Sequence, residues 1–204
     1  MLTRSHRNVA GGALACVASL LVIYACGEGD IGLPWGAGPE TTLDAAPSDP
    51  DNNPSPTFEF SSSQENATFH CDLDGSGWSD CVSPVTYSDL SEGSHTFQVR
   101  GLSEEGTVES APPTHTWSLD LTPPETTLSS VPPDPDNNAD PSFDFSSNEA
   151  DATFECGVDG VEWSACAASK DYTGLSHGSH DFQVRAVDPA GNVDETPATH
   201  SWAI

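Results

Sequence analysis

Two kinds of side chain in this sequence have types and spacings that could do chemistry. The first is sulfur. The run FHCDLDGSGWSDC, residues 69–81, returns as FECGVDGVEWSAC, residues 154–166. Each reads as Cys, nine residues, Cys, with Asp-Gly near the middle and Trp three residues before the second Cys. Asp-Gly between short alternating apolar runs is a hairpin signal, because both residues tolerate the positive φ of a tight turn. With the turn centred near residue 76, Cys71 falls opposite Cys81, and Cys156 opposite Cys166. The expected chemistry is a hairpin-spanning disulfide in each copy. Zinc is the poorer account, because its sites usually place two to four residues between paired ligands, not nine.

The second kind is hard oxygen. Ser48-Asp49-Pro50-Asp51-Asn52-Asn53 and Pro133-Asp134-Pro135-Asp136-Asn137-Asn138 pack carboxylates and amides into short loops, as calcium requires. Asp49, Asp51, Asn52, Asn53, Asp134, Asp136, Asn137 and Asn138 are therefore candidate calcium ligands. The same residues are also ordinary turn formers. Ser94-His95 and Ser179-His180 invite a hydrolase reading, but neither a third partner nor an oxyanion site can be located. No Gly-x-Ser-x-Gly turn occurs. His95 and His115 share the parity of the apolar residues around them. If Phe97 stands opposite Trp117, the two imidazoles are offset by two pairs, and each is expected to be a hydrogen-bonded histidine at the core margin. His177 and His180 lie three apart only in the second copy, where the first has Glu92, and carry no site in this reading. Trp78 and Trp163 could stack on a sugar, or pack on the neighbouring disulfide.

These residues sit in an internal repeat. Residues 39–119 align without a gap with 124–204, and about half of the paired positions are identical. Within each copy the apolar period is 2: Phe58 and Phe60, then Ala67, Phe69, Cys71 and Leu73, then Phe97 and Val99, then Trp117 and Leu119. With Thr41–Leu43 and Val85–Tyr87 this predicts about seven short strands per copy, separated by turn residues. That is the pattern of a small antiparallel β-sandwich. An 81-residue copy buries a modest core. A disulfide closing about ten residues should supply roughly 2–3 kcal/mol. The four-residue spacer, 120–123, ends in Pro123-Pro124 and should be stiff and extended.

The succession TFEFSSS…ATFHCDLDGSGWSDC…LSEGSHTFQVR, with …GLSHGSHDFQVRAVDPAGNVDETPATHSW in the second copy, resembles the bacterial immunoglobulin-like repeats found in tandem in exported and cell-surface proteins. The second copy, with Asp188-Pro189-Ala190-Gly191-Asn192-Val193-Asp194, fits best; the first keeps only Gly106 and Val108 of that stretch. The resemblance covers residues 39–204. It implies sandwich folds in a modular extracellular setting and no shared catalytic residues. The expected class is all-β: two tandem immunoglobulin-like sandwiches after a signal segment and a flexible tether.

The first residues carry an address. Arg4, His6 and Arg7 precede an apolar core, residues 13–25, too short for a membrane span of about 20 residues. It ends Ile23-Tyr24-Ala25-Cys26-Gly27, which resembles the lipobox of bacterial lipoproteins. Residues 1–25 are read as a signal peptide, Cys26 as the lipidated residue and 26–38 as a Gly-rich tether reaching roughly 20 Å. Cys16 leaves with the signal, so no odd thiol remains, as expected outside the cytosol. All 32 Asp and Glu lie at or beyond Glu28, with only three Lys or Arg among them. A surface that acidic repels nucleic acid. The expected function is a non-catalytic cell-envelope lipoprotein, anchored in the membrane by lipid, whose modules act as spacer, adhesion or protein-binding units. The alternative is a calcium- or carbohydrate-binding adhesion module, with a glycan as partner. Ile204 follows the last expected strand directly, so no further domain is expected to hold an active site.

Overall fold

The structure is a computed structural model that describes residues 38–204. The segment read as a signal peptide, Cys26 and nearly all of the stretch read as a tether lie outside the described residues. Every element described is a strand. The first module contains β1 (Thr41–Ala45), β2 (Thr57–Ser62), β3 (Thr68–Leu73), β4 (Ser79–Cys81), β5 (Val85–Thr86), β6 (Gly93–Leu102) and β7 (Thr114–Leu119). The second contains β8 (Thr126–Ser130), β9 (Ser142–Ser147), β10 (Thr153–Val158), β11 (Ser164–Cys166), β12 (Ser169–Asp171), β13 (Ser179–Val187) and β14 (Ala198–Ala203). The seven strands expected per copy are all present.

Each module is a three-stranded antiparallel sheet facing a four-stranded one. The orders are β1-β2-β5 with β4-β3-β6-β7, and β12-β9-β8 with β11-β10-β13-β14. Period-2 alternation decides which side is buried. On β2, Phe58 and Phe60 are buried while Thr57 and Glu59 face solvent. On β6, His95, Phe97, Val99 and Gly101 point inward. The sheets meet through aromatic rings. Phe58 stacks on Phe97 at 4.0 Å between centroids and meets Trp117 edge-on at 5.4 Å. The second module repeats this with Phe143 on Phe182 at 4.0 Å and Trp202 at 5.2 Å.

Both expected disulfides are formed, Cys71–Cys81 and Cys156–Cys166. Their register differs from the sequence-based expectation. Cys81 lies opposite Phe69, and Cys71 opposite Ser79. The sulfur bridge therefore crosses a diagonal, and the hairpin centres on Gly75. The cause is the turn: Asp74 and Gly75 both take positive φ, 56° and 69°. Gly77 N–H then donates to Asp72 Oδ1, which holds the loop wide.

The pairing of the last two strands is also shifted by two residues. His95 faces Trp117, and Phe97 faces His115. Trp117 consequently lies between two imidazoles, at 5.3 Å from His95 and 5.8 Å from His115. In this register the imidazole of His95 on one strand meets the indole of Trp117 on the other, a cross-strand aromatic pair.

The Phe58–Phe97 stack is expected to dominate stability of the first module. Phe58→Ala should cost about 3–5 kcal/mol, read as a lower urea midpoint. A loss under about 1 kcal/mol would mean the sheets are held elsewhere.

Candidate functional site

The Asp-Pro-Asp-Asn-Asn loops run along the outer edge of the last strand of each module. Asp49 Oδ1 accepts from Ser118 N–H at 2.9 Å, and Asp51 N–H donates to the Ser118 carbonyl at 3.0 Å. Asp120 N–H returns to the Asp51 carbonyl, and Asp51 makes a parallel bridge to Leu119. The second loop does the same: Asp134 Oδ1 accepts from Ala203 N–H at 3.1 Å, and Asp136 N–H donates to the Ala203 carbonyl at 2.8 Å. Inside the loops, Asp51 Oδ1 accepts from Asn53 N–H, and Asn53 Oδ1 from Ser55 N–H. Asp136, Asn138 and Asp140 repeat that pattern. An unpaired strand edge exposes backbone groups that invite foreign strands, and these loops cover part of it. Of the candidate calcium ligands, Asp49, Asp51, Asn53, Asp134, Asp136 and Asn138 thus each spend a side-chain oxygen on a backbone N–H group. Asn52 instead faces the other module: a Cβ at Gly191 would stand 3.5 Å from its amide nitrogen.

The carboxylates that do converge are a different set. Asp120, from the spacer, meets Glu149 and Asp188 of the second module, with one oxygen of each within 4.8 Å of the others. Asp188 is buried. Its Oδ1 accepts from Gly191 and Asn192 N–H, at 2.7 and 2.8 Å, and its Oδ2 from Asn192 Nδ2 at 2.8 Å. Asn192 Nδ2 also donates to the Asp120 carbonyl at 2.8 Å, which ties the second module's loop to the spacer. On the first module's side, Glu92 Oε2 accepts from the Thr122 hydroxyl at 2.8 Å. Burial, then the charges of Asp188, Asp120 and Glu92, push the Glu149 carboxyl above its ordinary value.

This junction was missed from sequence, although a signal existed. The counterparts of Glu149, Asp188 and Asn192 in the first copy are Gln64, Ser103 and Thr107; the counterpart of Glu92 in the second is His177. The copies diverge where one end of the first meets one end of the second. Read as family variation or noise, those differences carry nothing; read against the fold, they mark the ends that touch.

The two outward indoles are occupied by cations rather than by sulfur. Trp78 lies under the Arg100 guanidinium at 4.1 Å, and Trp163 under that of Arg185 at 4.4 Å. Arg185 is itself held by Glu155 at 2.7 Å, and Arg100 by His70, which reaches Asp80 at 3.0 Å. Lys170 sits over Tyr172 at 5.2 Å. Every Lys and Arg among the described residues thus lies over a ring.

No protein-family model matches the chain, and no curated protein matches it. Solved structures do. The fibronectin(III)-like modules of Clostridium thermocellum CbhA match at TM-score 0.52 and 11% identity, over 81% of this chain and 94% of that one. The chicken CNTN1 FN1-FN3 domains match at TM-score 0.45 and 11% identity, over 83% and 69%. A 1.5-MDa bacterial ice-binding adhesin matches at TM-score 0.43 and 15% identity, over 82% and 65%. At these identities the likeness shows the fold alone, and the first carries it: tandem antiparallel sandwiches of the fibronectin-III-like, immunoglobulin-like kind.

The junction makes a prediction with a definite sign. Because the folded protein holds the Glu149 proton more tightly than an unfolded chain does, the ionised carboxylate destabilises at neutral pH, and this cost fades as pH falls toward 4.5. Glu149→Gln should raise the melting temperature at pH 7, with the gap to wild type closing in acid. A variant that melts lower than wild type at pH 7 would show the carboxylate to be a net stabiliser.

Proposed function

We propose that this chain is a bacterial cell-envelope lipoprotein, anchored by lipid on Cys26, whose two modules serve as spacer, adhesion or protein-binding units and perform no catalysis. The observation that carries the reading is the duplication itself: two disulfide-closed sandwiches of one sequence pattern, joined by a four-residue spacer and in contact through loops at the junction. Repetition of one module multiplies reach or valency; it adds no new reaction. The disulfides fit an oxidising compartment. The histidines of both Ser-His pairs commit both ring nitrogens to an aspartate and a backbone carbonyl, so neither nitrogen is turned to a serine hydroxyl. The signal core and the lipobox-like Ala25-Cys26 supply the membrane partner, and the acidic surface argues against nucleic acid.

The test is metabolic labelling of whole cells with a fatty acid. Label is expected on the wild-type chain and absent from Cys26→Ser, which should then appear in the soluble fraction. Equal labelling of both would end the lipoprotein reading.

A further inference from the structure

Each module buries one histidine whose two ring nitrogens both face atoms that can only accept. His95, 7% exposed, places Nδ1 2.8 Å from Asp74 Oδ2 and Nε2 2.7 Å from the Ser91 carbonyl. His180, 4% exposed, places Nδ1 2.8 Å from Asp159 Oδ2 and Nε2 2.8 Å from the Ser176 carbonyl. A neutral imidazole has one N–H and one bare lone pair. In either neutral tautomer one contact therefore sets lone pair against lone pair. A backbone carbonyl has no proton to offer, and neither does an ionised carboxylate. Only the imidazolium, with two N–H donors, satisfies both partners.

The anchoring of the aspartates keeps this geometry in place. Asp74 and Asp159 take the left-handed turn conformation, φ 56° and 55°. Asp74 Oδ1 also accepts from Thr96 N–H at 2.8 Å, and Asp159 Oδ1 from Asp181 N–H at 3.0 Å. The carboxylate is thus pinned to the long strand whatever the imidazole does. The other face of each imidazole lies near an indole, Trp117 at 5.3 Å and Trp202 at 5.4 Å, an arrangement that favours a cation over the ring.

We propose that His95 and His180 are paired protonation latches, each tying the Asp-Gly turn to the loop ahead of the long strand while it carries its proton, and dropping the loop when it loses it. The tie that fails is the one to the carbonyl, because the carboxylate retains the stronger, charge-assisted bond. In the first module that carbonyl belongs to Ser91, next to Glu92, whose carboxylate accepts the Thr122 hydroxyl of the spacer. The first latch therefore holds a loop that reaches the junction between modules.

The groups facing each imidazole agree on direction. Around His95 they are Asp74 and the Ser91 carbonyl, with Trp117 between it and His115. Burial of His95, which alone lowers its pKa, is outweighed by the Ser91 carbonyl and the Asp74 carboxylate, and the net shift is upward. Around His180 they are Asp159, Asp181 and the Ser176 carbonyl, with Trp202 between it and His200. The Ser176 carbonyl and Asp159 raise its pKa against burial, and Asp181 adds to them. Burial raises the Asp159 carboxyl, but its bonds from His180 and Asp181 leave it lowered on balance. Tyr172, raised by burial and then by the Asp159 charge, belongs to the same neighbourhood. A folded-state pKa raised above 6.5 gives stability that is whole below that pH and is lost as pH climbs through the folded value.

The test is an imidazole nitrogen spectrum of the full-length ¹⁵N-labelled chain in detergent, assigned with His95→Gln and His180→Gln. Both nitrogens of both residues are expected to be protonated at pH 7. The melting temperature of wild type should fall by a few degrees as pH rises from about 6 to about 9, and the fall should shrink in Asp74→Asn and Asp159→Asn. Should these variants fail to fold, the wild-type spectrum decides by itself. A bare nitrogen on both residues at pH 7, or a melting temperature level across that range, would overturn the latch.

Discussion

The contact on which each module depends is one aromatic pair. Phe58 and Phe97 lie 4.0 Å apart, one from each sheet, and both are fully buried. Theirs is the closest of the ring contacts that cross between the three-stranded and the four-stranded sheet. Around this pair the other rings find their places: Tyr87 edge-on to Phe58 at 6.2 Å, Phe60 against Phe69 at 4.9 Å, and Trp117 against Phe58. A module of about 80 residues buries a smaller share of its surface than a larger domain does. Rings are an efficient answer, since each covers much area at low conformational cost. The disulfide complements the stack at the sheet's other edge, where β4 and β11, three residues each, could not hold alone.

The acidity of the chain imposes a second constraint. Carboxylates far outnumber Lys and Arg, so ion pairs cannot satisfy them. Backbone N–H groups do so instead. Glu109 accepts from Thr41 and Gly101 N–H, and its counterpart Asp194 from Thr126 and Thr196 N–H. Burial pushes the Asp194 carboxyl up, but these bonds carry it below its ordinary value on balance. Asp49, Asp72, Asp74, Asp134 and Asp188 follow the same logic at strand edges and turns. The few cations serve elsewhere, over Trp78, Trp163 and Tyr172 on the outer surface. A strongly negative protein can thus be well bonded with few salt bridges.

Strand alternation, the duplication and the sulfur pairs were all legible in the sequence, because each leaves a local periodic mark. Register was not. Whether Cys81 faces Cys71 or Phe69 depends on how wide Asp74 and Gly75 open the turn, which the Gly77 N–H bond to Asp72 Oδ1 then holds. The pairing of β6 with β7 slipped for a similar reason: parity fixes which face a residue takes, but not which ring it meets across the strand. The acidic loops show the matching limit of composition. Asp, Pro and Asn form a recurring unit, yet the Asp49 and Asp134 carboxylates turn toward an edge strand about 70 residues away in sequence, a partner no local spacing reveals.

The junction shows how a duplicated module acquires a direction. Two identical copies present identical ends, so a contact between the end of one and the start of the next must be made by residues that every copy carries. Here the copies differ at those ends. Asp188 and Asn192 stand in the second where Ser103 and Thr107 stand in the first, and Glu92 in the first where His177 stands in the second. Side chains that form the spacer contact, Asn192 with the Asp120 carbonyl and Glu92 with Thr122, are present only on the ends that meet. The core rings, the disulfides and the His95 and His180 bonds have stayed the same in both copies. Those lie inside each module, whereas the loop residues that differ lie where the first module and the spacer meet the second.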